Sequence, residues 1–271
     1  MKSNCWISTT IALLCALTSA GPAVAAGFAA YLSPPRFELK ASPGETLRQT
    51  ITIGNDSVQD ASYEIRTADW DLRVDGGVII HPPELQPGSC RPWSRIERRT
   101  LALGPNANKR FRFEIAVPDD APAGECRVAL LITGSADSAV TAEVGNVRLP
   151  VRGRVAAIIY VAIGDAKADL VLVDVSAHDR QGRKVPVARM RNQGIAHGRP
   201  QGVLRAVDAL GVTHELAVAT LPVLPGQETD IPLWPATRAE TQQPPALAYP
   251  IKLNGRIEWD GGSVNLEQTV P

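Results

Sequence analysis

The side chains that could hold a metal ion are four scattered histidines, His81, His178, His197 and His214. No two of them have the H-x-x-x-H spacing that brings two imidazoles to one metal ion from a helix. Each one is therefore expected to be packed or solvated, and the sequence predicts no metal site.

Catalytic motifs are missing as well. The sequence contains no G-x-S-x-G, no G-x-x-x-x-G-K-[ST] and no G-x-G-x-x-G after a strand-like run. The pair Asp119-Asp120 precedes the turn-like Ala121 to Gly124 and is expected to be solvated. We predict neither an enzyme nor a cofactor. A hydrolase whose Ser, His and Asp converge from distant positions stays open as an alternative.

The N-terminus has the organisation of a secretory signal peptide. Lys2 precedes the apolar run Ile11 to Leu17, and Ala23-Val24-Ala25 supplies the small residues that signal peptidase recognises. The run is far shorter than the roughly 20 apolar residues that a membrane span requires. We predict a signal peptide over residues 1–25 and export to the periplasm, with an uncleaved anchor as the alternative.

The cysteines agree with export. Cys5 and Cys15 lie in or near the apolar run, which leaves Cys90 and Cys126 in the mature chain. A single pair in an oxidising compartment predicts one disulfide, and two buried free thiols are the alternative. The pair has no C-x-x-C spacing, so a redox or zinc motif is not indicated.

The charge is balanced, with 28 basic and 28 acidic side chains before Lys2 is removed with the leader. No overall basic field would attract nucleic acid or anionic lipid. The sequence predicts no nucleic-acid partner and no stable membrane insertion, and it leaves the oligomeric state open.

Short alternating runs bounded by Gly, Pro, Asn and Asp indicate β-strands throughout the mature chain. Among the predicted strands are Ala61 to Leu72, Thr100 to Leu103, Val203 to Val207 and Ile251 to Trp259. A small, polar stretch at 164–169 interrupts them. We predict an all-β protein with two immunoglobulin-like antiparallel β-sandwich domains in tandem, at 28–163 and 170–271, joined by this linker.

Three stretches resemble periplasmic PapD-like proteins, the family of pilus assembly chaperones. "SPPRFELKASPGETLRQTITIGN" (Ser33 to Asn55) is similar to the family's opening strands. "RTLALGPNANKRFRFEIAVPDDAPAGECRVALLI" (Arg99 to Ile132) resembles its D–E–F region. "GRVAAIIYVAIGDAK" (Gly153 to Lys167) resembles its strand G and interdomain linker.

The resemblance implies a chaperone for surface-fibre subunits, with an outer-membrane usher as a further partner. In this family strand G lends its edge to an incomplete subunit, and basic residues in the cleft hold the subunit's terminal carboxylate. Arg36 corresponds to the first-strand basic position. Ala157 falls where the family has its second cleft lysine, which leaves Arg152 or Arg154 as substitutes. We expect Arg36 and Arg154 to approach one another and form an anion site, with the pairing of each arginine to a local Glu or Asp as the alternative.

The stretch from Arg148 to Leu170 begins rich in arginine and ends apolar. Val147, Leu149 and Val151 alternate with polar residues and predict an apolar face that could fill a partner's groove. Pro150 lacks an N–H and fits an edge strand, and Arg148 and Arg152 discourage indiscriminate pairing. An ordinary protected edge that serves no partner is the alternative.

Two function hypotheses follow. The first is a periplasmic chaperone-like protein that binds fibre subunits through an edge strand. The second is a structural or adhesive cell-envelope module that binds protein or glycan without chaperone activity.

Overall fold

The computed structural model describes residues 28–135, 140–144, 147–180, 182–237 and 244–271, with 140–144 and 147–151 described by their strand pairing. The predicted signal peptide, residues 1–25, lies outside the described residues. No helix in the described ranges is long and apolar enough to span a membrane. We use the predicted boundaries 28–163 and 170–271 as labels for the N-terminal and C-terminal sandwiches.

The described chain is built from strands and one short 3-10 helix, Arg91–Trp93, which confirms the predicted all-β class. In chain order the strands are β1 Ala30–Ser33, β2 Arg36–Ala41, β3 Thr46–Asn55, β4 Ala61–Ala68, β5 Trp70–Leu72, β6 Val78–Ile80, β7 Ser94–Ile96, β8 Thr100–Leu103, β9 Asn108–Ala116, β10 Gly124–Gly134, β11 Val140–Val144, β12 Val147–Val151, β13 Arg154–Ile163, β14 Leu170–Arg180, β15 Arg183–Asn192, β16 Val203–Val207, β17 Thr213–Val218, β18 Glu228–Pro235, β19 Ile251–Trp259 and β20 Gly262–Val270.

The N-terminal sandwich packs a sheet of order β1-β3-β9-β7 against a sheet of order β2-β13-β10-β4-β8. Alternate residues of each strand face inward, as the period of two requires. Ile51 and Ile53 of β3 meet Phe111 of β9 and Ile132 of β10 in a core where all four are fully buried. Burial of these alternating apolar faces holds the two sheets together.

The first two strands belong to different sheets. β1 pairs antiparallel with β3, whereas β2 pairs parallel with β13, so the chain crosses from one sheet to the other at Pro34-Pro35. The crossing suits the prolines because each lacks the N–H that a ladder position would need. Leu32 before it and Phe37 after it both reach the same core.

The C-terminal sandwich is one seven-stranded sheet of order β14-β15-β18-β17-β16-β19-β20 that folds over on itself. Its first and last strands contact each other, and Lys184 of β15 donates to the carbonyl of Pro271 just after β20. Met190, Leu204, Leu216 and Ile231 fill the enclosed core and are fully buried. Two tandem sandwiches are therefore present, as predicted.

The alternating residues from Val147 to Val151 and the apolar run after them form two strands and not one. β12 pairs with β11 in a separate two-stranded ladder, and β13 begins after a break at Arg152-Gly153. Phe28 explains the glycine, because a Cβ at position 153 would lie about 2.1 Å from the Phe28 ring. The whole of β13 then pairs with β10, and from Ile158 onward it also pairs with β2.

The predicted disulfide between Cys90 and Cys126 is present and buried. Cys90 lies in the loop before the 3-10 helix, and Cys126 lies near the start of β10. Backbone bonds from the Cys90 amide to the Arg127 carbonyl, and from the Arg127 amide to the Gly88 carbonyl, hold the same loop against β10. The disulfide therefore joins a long loop to a central strand.

Replacing both cysteines with alanine should lower the free energy of unfolding by about 4 kcal/mol, because the bridge closes a loop of 36 residues and restricts the unfolded chain. Urea unfolding of the wild type and the variant measures the difference. Thiol labelling of the unfolded, unreduced mature protein is the direct control. Two reactive thiols would contradict the bridge.

Candidate functional site

One edge at the end of the N-terminal sandwich, formed by β12 and the first part of β13, has no partner strand among the described residues. In the described residues, β12 pairs only with β11, and residues 154–157 of β13 pair only with β10. β2 joins β13 from Ile158 onward, where the Ile158 amide donates to the Pro35 carbonyl. The open side therefore runs from Val147 to Ala157, interrupted at Arg152-Gly153. Backbone groups on such a side can pair with an added strand.

The predicted donor residues lie on this edge. Val147, Leu149 and Val151 are opposite Val144, Ala142 and Val140 of β11. Because strand side chains alternate between faces, these three residues share one face, and Arg148 and Pro150 share the other. Their part in partner binding stays a prediction.

The predicted anion site involves two arginines on one face of the sheet. Arg36 is opposite Ile158, and Arg154 lies four residues earlier on β13, so about 13 Å of strand separates their positions. The Arg36 Nε contacts the Glu38 carboxylate at 2.9 Å, and no described residue forms an ion pair with Arg154, which is exposed, as is Arg152. An anion bound by both arginines stays a prediction.

A cluster of side chains from both sandwiches lies where they meet. The Tyr160 ring of β13 stacks on the His197 ring at a centroid distance of 3.9 Å, and the Arg199 guanidinium lies 5.5 Å from the Tyr160 centroid. The Arg199 Nε donates to Glu38 Oε1 at 2.8 Å, and its Nη2 donates to the Tyr160 hydroxyl at 3.3 Å. These contacts join β2 and β13 directly to the loop before β16.

Glu125 is the buried acid of this cluster, with 1% of its side chain exposed. Its Oε2 accepts the backbone amide of His197 at 3.0 Å and lies 2.5 Å from the ring Nδ1. Its Oε1 has no hydrogen-bond partner in the described structure, although Arg127 Nη1 lies 3.9 Å away. A buried carboxylate is stable only when hydrogen-bond donors and a nearby cation compensate for its lost hydration. His197 supplies the donor and Arg127 the cation, so both side chains are held next to Glu125.

The hairpin of β5 and β6 adds a second connection between the sandwiches. Trp70 packs edge-to-face on Tyr160 and shares a buried cluster with Leu224 of the C-terminal sandwich. Asp71 accepts from the Gln227 side chain at 2.9 Å, and the Val74 carbonyl accepts the Asp230 amide at 2.9 Å. Apolar and polar contacts together hold the two sandwiches at a defined angle.

The space beside this cluster is a cleft of about 550 Å³ between the two sandwiches. Its lining includes the cations Lys40, Lys167 and Arg199 and the acids Glu38 and Asp165. Because Glu38 already binds Arg199, this cleft is a polar junction with paired charges. Lys40 also lies 3.9 Å from Asp260, and no described residue forms an ion pair with the exposed Lys167.

Burial raises the pKa of the Tyr160 hydroxyl to about 12, an effect that the nearby Arg199 charge opposes and the Glu125 charge reinforces. Glu38 behaves in the opposite way. Burial favours its neutral form, but the hydrogen bond and charge of Arg199, followed by the charges of His197 and Arg36, outweigh burial and lower the pKa of Glu38. The cluster therefore contains a neutral tyrosine and an ionised glutamate at neutral pH.

The other histidines have local partners. His214 lies 2.9 Å from Asp208 in a turn, and His81 lies 3.6 Å from Asp71. The Ser176 hydroxyl lies 3.1 Å from His178 Nε2 on β14, but no carboxylate in the described ranges contacts that ring. Within the same ranges no three His, Cys, Asp or Glu side chains are close enough to hold a metal ion.

Sequence reasoning missed His197, Arg199, Glu125 and Trp70. Their partners lie in the other sandwich or on the other side of a hairpin, so no local spacing marks them. Tyr160 lies in the stretch that resembles strand G, but nothing in its spacing marks it as a junction residue. The sequence feature that could have marked the junction is the pair His197 and Arg199, two large polar side chains in a loop of mostly small residues.

No protein-family model matches the sequence, and no curated protein is similar to it. Solved structures are similar. The chaperone CupB2 of Pseudomonas aeruginosa has 11% identity, with 89% of this chain and 100% of that chain covered and a TM-score of 0.44.

Two further solved structures are similar to this chain over most of their length. The E. coli chaperone DraB has 12% identity, with 90% of this chain and 97% of that chain covered and a TM-score of 0.43. A chain from the Salmonella enterica SafA pilin in complex with the SafB chaperone has 12% identity, with 89% and 96% covered and a TM-score of 0.45.

Titration of Tyr160 should reveal the contact between the sandwiches. A hydroxyl buried in the junction should ionise with a pKa of about 12, whereas one exposed by separated sandwiches should ionise near the ordinary tyrosine pKa of about 10. The absorbance difference at 295 nm between the wild type and Tyr160→Phe isolates this group. A midpoint near 10 would contradict the closed junction.

The same group predicts a loss of stability at alkaline pH. The folded protein favours neutral Tyr160, so the unfolded chain releases this proton first, from about pH 10. The free energy of unfolding should therefore fall between pH 10 and 12 more steeply in the wild type than in Tyr160→Phe. Equal slopes in urea unfolding across this range would disprove the linkage.

Proposed function

We propose that this chain is an exported, periplasmic chaperone-like protein that binds incomplete subunits of a surface fibre by strand addition. The observation that carries the proposal is the open edge from Val147 to Ala157, which is unpaired on one side within the described residues. An added strand would use these backbone groups, and alternate side chains of β12 would enter its groove.

Two physical features support strand addition at this edge. The β11–β12 hairpin is a two-stranded ladder outside both main sheets, so its second edge is free to pair without dismantling a core. The junction of Tyr160, His197 and Arg199 fixes the C-terminal sandwich beside the far end of β13. A partner on the edge would therefore meet a preformed surface, which reduces the entropic cost of binding.

The exposed arginines beside the edge fit the same function. Arg152 and Arg154 lie where the free edge passes from β12 to β13, and Arg36 lies at the start of β2. Charged side chains at an edge limit self-association. They also attract a carboxylate, and guanidinium groups bind one through two parallel hydrogen bonds. We propose that these arginines receive the acidic terminus of a client subunit, and that an outer-membrane usher then receives the complex.

Replacing Leu149 with Asp should abolish client capture. A charge on the donor face would be desolvated in an apolar groove, at a cost on the order of several kcal/mol. Arg148→Asp is the matched control, because it places the same charge on the opposite face of the same strand. The tagged mature protein and both variants would be purified from the periplasm of the native host, and co-purifying proteins would be quantified by mass spectrometry.

We expect the wild type and Arg148→Asp to retain the same small envelope proteins, and Leu149→Asp to lose them with a melting temperature within a few degrees of the wild type. Unchanged capture by Leu149→Asp would exclude the donor face. A collapse of the melting temperature in Leu149→Asp alone would show that Leu149 belongs to the core.

A further inference from the structure

The outer face of the β1-β3-β9-β7 sheet has an ordered arrangement of charges. The pairing places Glu114 between Arg95 and Arg48, places Arg112 beside Thr50, and places Arg110 beside Thr52. Because inward residues alternate with outward ones, these side chains occupy three successive rows of one face. Four arginines against two glutamates, counting Glu97 beside Arg112, give this face a net positive charge in a chain whose overall charge is balanced.

The arginines of this face are accessible. Arg48, Arg95 and Arg112 have 76%, 79% and 78% of their side chains exposed. Arg112 donates through Nε to Glu97 at 3.0 Å, while Arg48 and Arg95 lie 3.6 and 3.7 Å from Glu114, beyond hydrogen-bond distance.

Most of the guanidinium N–H groups on this face therefore have no partner in the described structure, and Arg110 forms no ion pair there. Exposed ion pairs of this kind contribute about 1 kcal/mol or less, so a ligand can rearrange them at little cost.

The same face contains a groove and neutral hydrogen-bonding groups. The groove has a volume of about 360 Å³, and its lining includes Arg48, Arg95, Arg112 and Thr50 of this face together with Glu97 and Glu114. Gln49, Ile96 and Phe113, which also line it, belong to the inward rows, and Arg110 lies one row beyond Arg112. At the other end of the face the Tyr31 ring covers Gly54, where a Cβ would lie about 2.0 Å from the ring. Cations, hydroxyl groups and one aromatic ring thus extend over roughly 20 Å of sheet.

A peptide partner fits this face poorly. β3 and β9 are interior strands of their sheet, so their backbone groups are already paired and cannot accept an added strand. Large apolar anchors, which dominate protein–protein binding, are missing from the described outward side chains of the three rows. A fully polar, anionic polymer with hydroxyl groups matches the arginines and the neutral groups together.

We propose that this face binds an acidic polysaccharide, a chain of sugars that carry carboxylates. The uronate carboxylates would pair with Arg110, Arg112 and Arg48, and the sugar hydroxyls would bond to Thr50 and Thr52. This site lies on the sheet that does not contain β13 and is independent of the proposed strand addition. Such a site would hold the protein near an acidic glycan of the cell envelope.

Calorimetric titration with hexagalacturonate tests the site, with maltohexaose as the neutral sugar and hexaglutamate as the acidic peptide. The variant Arg110→Ser/Arg112→Ser should weaken hexagalacturonate binding at least about tenfold. The control Arg191→Ser/Arg256→Ser removes the same charge from exposed, ion-paired arginines of the C-terminal sandwich and should change binding less than about twofold. Arg110→Ser alone, which breaks no ion pair, should weaken binding about threefold or more and serves if the double variant does not fold.

Binding of hexagalacturonate without maltohexaose binding, lost in the Arg110 variants and kept in the control, would support the site. Three results would overturn it. The first is that the wild type does not bind hexagalacturonate, and the second is that the control variant loses as much hexagalacturonate binding as the Arg110/Arg112 variant. The third is that hexaglutamate binds as tightly as hexagalacturonate.

Discussion

The ladder between β10 and β13 is the interaction on which the rest of the structure depends. It runs over ten residue pairs from Gly124–Ile163 to Thr133–Arg154. Odd-numbered residues of β13, such as Ile159 and Val161, fill the N-terminal core. The even-numbered Tyr160 faces the C-terminal sandwich. One strand therefore supplies the core of one sandwich and the junction with the next, which explains why it is apolar on both faces.

The same strand separates two kinds of surface. Beyond Ile158 its second edge is covered by β2, and its outward face is covered by Trp70, His197 and Arg199. Before Ile158 that edge has no partner strand within the described ranges, and the same side continues into β12. An open edge carries a risk of indiscriminate pairing, which the exposed Arg152 and Arg154 reduce. A packed junction beside an edge that carries exposed arginines is an arrangement that suits strand addition.

Local pattern predicted the strands well, because alternation and turn residues are local properties. The runs Thr100–Leu103, Val203–Val207 and Ile251–Trp259 have the predicted bounds. Breaks inside apolar runs were missed. The break at Arg152-Gly153 depends on Phe28, which is distant in sequence, and Ala61 to Leu72, predicted as one strand, divides into β4 and β5. The disulfide was predictable because only two cysteines, Cys90 and Cys126, follow the predicted signal peptide.

The junction could not be predicted in the same way. Glu125 and His197 come from different sandwiches, and their contact exists only because both domains fold and then pack. Arg36 contacts Glu38, two residues away on the same face, which is the local pairing that stood as the alternative to an anion site. An anion bound by Arg36 and Arg154 stays a prediction, because a sequence pattern alone does not show whether a surface arginine is also open to a ligand.

Hydrogen–deuterium exchange on the protein, alone and bound to a purified client subunit, tests strand addition most directly. Amides of residues 147–157 that point to the open side should exchange fast in the free protein and become strongly protected in the complex, because an added strand bonds to them. The amides of β3 and β9 should change little. A complex in which residues 147–157 keep their fast exchange, while protection appears elsewhere, would contradict the account.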